Sequence, residues 1–168
     1  MDTTQLRSAY HDFLAVAEAG GFGPPPPGEW DAEHVLAHVA AVDASVAAVA
    51  MSVASGQRPS YDNRTGLDPW NLRRIIAAAG GDLPGLTRRV RRTGELLCAI
   101  AEELSEDDLA VQLATLIISN DEVVVDQPWT LGVLVGGIGR VHLPGHAEQL
   151  GALRAPRGTA TSRPAAEV

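Results

Sequence analysis

Residues 31–55, DAEHVLAHVAAVDASVAAVAMSVAS, read as one long helix, and the rest of the chain is placed around it. Asp31 stands where a side chain can cap the first turn, and Gly56 supplies the stop. Alanine and valine dominate, so neighbouring backbones can approach this helix closely. Its polar interruptions are His34, His38 and Asp43. They also break the apolar run from Val35 to Ala54, which on that ground is not expected to span a membrane.

Three more helical segments are legible by period. The first covers Thr4 to Ala19, with Leu6, Tyr10, Phe13, Leu14 and Val16 as its apolar stripe. Gly20-Gly21 and the run Pro24–Pro27 end it. The third covers Leu83 to Leu104, capped by Asp82, with Pro84 in the first turn and Leu86, Val90, Leu97 and Ile100 facing inward. The fourth starts after Gln127-Pro128-Trp129 and runs to Arg154. Between the second and third lies a connection from Gln57 to Gly81, with a short helix expected at Trp70–Ala79. A connection of that length lets two helices run parallel where a tight turn would force them antiparallel. Leu109–Ile118 and Glu122–Val125, joined by Ser-Asn-Asp, alternate as a β-hairpin does. The expected fold is therefore all-α, a four-helix bundle with a long crossover between helices 2 and 3 and a small hairpin before helix 4. Residues 1–154 form the single domain, and 155–168, rich in Pro, Ala and Thr, read as a disordered tail.

A chain of 168 residues can bury a real core, and 45% hydrophobic with 20% charged residues is the composition of a globular protein. All 13 basic residues are arginines, and the net charge of −8 argues against a nucleic-acid binder, which needs a basic face. Arg88, Arg89, Arg91 and Arg92 cluster on the third helix and read as a solvated face. The single cysteine, Cys98, lies in an apolar stretch as a small buried hydrophobe. With no secretory signal and no span, the expected setting is cytoplasmic.

Four of the five histidines form two i, i+4 pairs: His34 with His38, and His142 with His146. Residues four apart share a helix face, so either pair can converge on one metal ion, with a third ligand from a facing helix. The competing reading is ordinary: such pairs also arise as surface or core histidines. Pro144 and Gly145 lie between the second pair, where a kink is expected, or else a break in the helix. Glu33 and Asp43 are possible acceptors for a histidine N–H.

At these residues the chain resembles the DinB-like superfamily, including the N-terminal domain of mycothiol-dependent maleylpyruvate isomerase. PPGEWDAEHVLAHVAAVD, residues 26–43, is similar to the family's second-helix signature, in which a Trp precedes a metal-binding histidine by eight positions. Trp30 and His38 match. PWTLGVLVGGIGRVHLPGHAEQL, residues 128–150, resembles the fourth-helix motif, matched by His142, His146, Gln149 and Leu150. The maleylpyruvate isomerase branch commonly has a glutamate where this chain has His142, and no counterpart of that branch's separate C-terminal domain is expected here. The resemblance implies a divalent metal, zinc or nickel, on His38, His142 and His146. It also implies a low-molecular-weight thiol cosubstrate, with mycothiol suited to a lysine-free, actinobacterial-looking composition, and an electrophilic small molecule as its partner. The implied activity is S-transfer or isomerisation in a protein that often forms homodimers. The alternatives are a metal-dependent hydrolase or secondary-metabolite tailoring enzyme that uses metal-bound water, and a non-catalytic helical binding module. His34, Arg64 and Arg140 are further candidates for orienting the site or holding substrate.

Overall fold

A computed structural model describes residues 1–154; the segment 155–168, expected as a tail, lies outside the described residues. The chain is mostly helical. Helix α1 is Thr4–Ala19 and α2 is Ala32–Ala54. They are followed by strand β1, Tyr61–Asp62, and helices α3, Arg64–Leu67, and α4, Pro69–Ala78. Helix α5 is Leu83–Glu103. A capped turn, α6 (Glu106–Leu109), leads into β2 (Gln112–Leu113), β3 (Thr115–Ser119), β4 (Glu122–Asp126) and β5 (Trp129–Thr130). The last stretch is helical throughout: α7 (Leu131–Gly137), a π-helical turn (Ile138–His142) and α8 (Leu143–Ala152).

The long helices start where short polar side chains can satisfy their free N–H groups. Asp31 accepts from His34 N–H, and Asp82 from Gly85 N–H. Packing then closes a ring: α1 lies on α5, α5 on α2, α2 on α8, and α8 back on α1. Gly94 lets α1 and α5 meet, because a Cβ there would stand 2.6 Å from the Tyr10 ring. The core is aliphatic, with Phe13, Val35, Leu36, Leu86, Leu97, Leu131 and Leu150 fully buried. Helix α2 runs through its middle. By length and hydropathy alone it could cross a membrane, so His38 and Asp43 do not disqualify it as expected; 67% of its most apolar window is buried within the protein.

The hairpin differs in extent from the expectation. Its strands are β3 and β4, and Asn120 and Asp121 at the turn both take positive φ, 51° and 61°, as a type I′ turn requires. Leu109 to Leu113 are not part of it. Ser105 and Asp108 form a capping box that pulls Glu106–Leu109 into a helical turn, and β2 pairs antiparallel with β5 instead. β1 adds to β3 in parallel, so the crossover is tied to the hairpin. The arginine cluster is solvent-exposed, with Arg91 paired to Glu18, and Cys98 is buried.

The helix does not break at Pro144; it widens into a π-helical turn just before it. The residues that border the π-helical turn, Gly137, Ile138, His142 and Leu143, keep right-handed helical dihedrals. Leu143 N–H donates to the Ile138 carbonyl five residues back. Pro144 has no N–H to give to Arg140, and the widened turn just before it accommodates that loss.

Candidate metal centre

Three histidines from two helices meet. His38 comes from the middle of α2, His142 from the π-helical turn and His146 from the first turns of α8. The ligating atoms they offer all lie within 4.8 Å of one another. Their ring centroids are separated by 5.1 Å for His38–His142, 4.8 Å for His38–His146 and 4.6 Å for His142–His146. These residues lie close enough to bind a metal ion.

Two of the rings are held in a defined tautomer. His38 Nδ1 is 2.8 Å from the Gly66 carbonyl, which can only accept, so Nδ1 carries the proton and Nε2 the lone pair. His146 Nδ1 is 2.8 Å from Gln149 Oε1, which fixes it the same way. His38 is also braced by the Trp30 ring, with centroids 5.0 Å apart. His142 is different. Its Nε2 lies 3.0 Å from His38 Nε2, while its Nδ1 is buried with no hydrogen-bond partner among the described residues.

Burial keeps all three rings neutral. It pushes His38 down to about 4, helped by His146 and opposed by the Gly66 carbonyl. It also holds His142 well below the usual imidazole range, with His146 and His38 adding to the effect, and lowers His146 against the pull of Gln149. A donor set of three neutral imidazoles, one buried and two half-buried, with one incompletely partnered among the described residues, has the chemistry to hold a metal ion.

The histidines line a cavity of about 870 Å³, walled by Trp30, Tyr61, Ile117, Val125, Trp129 and Ile138 among others. The crossover and the hairpin therefore cover the site.

The other candidates do not reach it. His34 Nδ1 bonds Asp31 Oδ1 at 2.8 Å, at the helix cap, and does not line the cavity. Arg64 is exposed and paired with Asp62, with Nε 2.8 Å from Oδ2. Arg140 is exposed, its guanidinium folded over Gly136 one turn earlier. Asp43 and Glu33 are not the histidine acceptors. Asp43 sits five residues past His38, rotated about 140° around α2, and faces Thr93 of α5. The groups that orient the rings are the Gly66 carbonyl and Gln149. Gly66 escaped the sequence because a backbone carbonyl leaves no residue-type signal, whereas Gln149 was present in the fourth-helix motif.

No protein-family model matches this sequence, and neither a curated protein nor a solved structure matches the chain.

Proposed function

We propose that the chain is a DinB-like four-helix bundle that holds a divalent metal, zinc or nickel, on His38, His142 and His146. Its function in this reading is transfer or isomerisation of an electrophilic small molecule with a low-molecular-weight thiol such as mycothiol. The observation that carries the metal assignment is the convergence of three neutral imidazoles on one cavity, two with Nδ1–H tied to protein acceptors. The thiol rests on the motif resemblance alone.

A divalent cation held by His38, His142 and His146 would supply Lewis acidity, which would lower the pKa of a thiol or water brought to it. The chain's own part is to hold the rings. Gly66 and Gln149 present Nε2 of His38 and His146, and Trp30 braces the His38 ring.

The test is metal content by elemental mass spectrometry on the purified protein, beside His38→Ala and His142→Ala. One zinc or nickel per chain, lost in both variants, supports the site. No uptake when both metals are offered defeats it. Activity of the loaded protein on electrophiles with and without thiol then separates S-transfer from hydrolysis.

A further inference from the structure

The walls of the cavity carry information about its occupant that the histidines do not. At about 870 Å³ the cavity has the volume that encloses a drug-sized molecule. Among the described residues no arginine lines it, although the chain carries 13. Apart from the neutral histidines, its ionisable lining side chains are Glu29 and Asp121, both exposed at the rim. Two of the neutral polar groups that face it are already engaged: the Asn63 amide with Ile118, and Gln149 Oε1 with His146.

The apolar lining extends beyond the interior. Val124 and Val141 border the cavity and are 57% and 72% exposed, so an occupant reaching the mouth would cover aliphatic surface. An anionic group in the body of a ligand would find no counter-charge on these walls. It would meet two rim carboxylates and a protein of net charge −8.

We propose that the cavity admits an uncharged, predominantly apolar small molecule that directs one metal-seeking group at His38, His142 and His146, and that it selects against molecules with a further negative charge. The head-group part rests on the metal reading above; the selection against anions rests on the walls alone.

The experiment pairs two fluorescent probes with the same aromatic body, neutral N-phenyl-1-naphthylamine and its sulfonated analogue 1-anilinonaphthalene-8-sulfonate. Both are titrated into the full chain, zinc-loaded and again after chelation, with zinc content measured on the same samples. The neutral probe is expected to bind at least about tenfold more tightly in both states. Val124→Arg, which places a cation at the mouth, should shrink that ratio. Val123→Arg, with the same charge change on a residue outside the lining, should leave it unchanged.

Equal or tighter binding of the sulfonate by the unaltered chain overturns the proposal. So does an equal shift in the two arginine variants, because the probe would then sit on the outside of the hairpin. If Val124→Arg does not fold, the ratio in the unaltered chain decides. One zinc per chain without the neutral preference sinks the substrate class and leaves the metal standing. The neutral preference without zinc uptake supports the selective walls and defeats the metal reading.

Discussion

The Asn63 side chain closes both backbone bonds of Ile118: Nδ2 donates to its carbonyl at 2.8 Å, and Oδ1 accepts from its N–H at 2.9 Å. The pairing of β3 with β4 shifts register between Ile117 and Ile118, where strand partners leave groups unmatched. One amide side chain from the crossover therefore completes the bulge and fixes the hairpin over the histidine cavity.

Asn63→Ala should cost about 1–2 kcal/mol, since Ile118 is half-buried and water can replace part of what is lost. Asn63→Asp keeps the acceptor but turns a carboxylate oxygen on the Ile118 carbonyl at a buried position, so it should cost at least as much as alanine. Urea unfolding gives the stability. Amide exchange at Val124 and Val125 should accelerate more than exchange in α5, which separates local loosening of the hairpin from global destabilisation.

The helices were legible because each carries its own signal: Asp31 and Asp82 cap, Gly20 and Gly56 stop, and the apolar periods are long. Two of the three metal candidates were legible as a pair for the same reason, since i, i+4 spacing is local. The site's completion was not. His38 meets His142 across 104 residues, and no spacing rule encodes that approach. The choice of His38 over His34 came from the Trp30 motif. The Gly66 carbonyl and the π-helical turn are backbone arrangements, and the Asn63 clamp a side-chain one, all set by tertiary packing. The arginines misled for the opposite reason: nearness in sequence to a ligand or a loop says nothing about which way a long side chain turns.

Gln149 orients His146 through the 2.8 Å contact at Nδ1. Gln149→Leu fills similar space without an acceptor, and should weaken zinc binding roughly 10–100-fold by freeing the ring and its tautomer. Gln149→Glu retains the acceptor and should bind zinc at least as well as the unaltered chain. Competition against a chromophoric zinc chelator reads both. Equal affinity in all three proteins would mean that Gln149 does not position the ring.

Arg64 and Arg140 were natural candidates from the sequence, and both now serve as controls. Arg64→Ala removes an exposed pair with Asp62, and Arg140→Ala removes an exposed side chain. Each should leave zinc affinity within about twofold and stability within about 1 kcal/mol. The chelator competition and urea unfolding check both values. A tenfold loss of zinc in either would show that these side chains reach the centre in solution.

Among the described residues Asp43 is the one carboxylate fully buried in the core, far around α2 from the cavity. Its Oδ2 lies 3.2 Å from Thr93 Oγ1, while its Oδ1 and the buried Tyr10 hydroxyl have no hydrogen-bond partner among the described residues. Desolvation pushes the carboxyl up to about 7, against the pull of Tyr10 and Thr93. Thr93 Oγ1 is also 3.1 Å from the Val90 carbonyl, so a protonated Asp43 can donate to Thr93 while Thr93 donates to Val90. A folded-state value above the unfolded one means that the native state holds the proton more tightly. Stability from this group is full below about pH 4 and is lost as pH rises through about 7. The buried histidines act in the other direction: their depressed values favour the folded state above about pH 6.5, and that contribution falls away on acidification. The difference between the unaltered chain and Asp43→Asn isolates the carboxylate. Asparagine keeps the shape without a charge, so the variant should gain on the parent between pH 5 and pH 8, by about 2–3 kcal/mol. Urea unfolding at the two pH values measures it, and a pH-independent difference would mean that Asp43 does not titrate in this window.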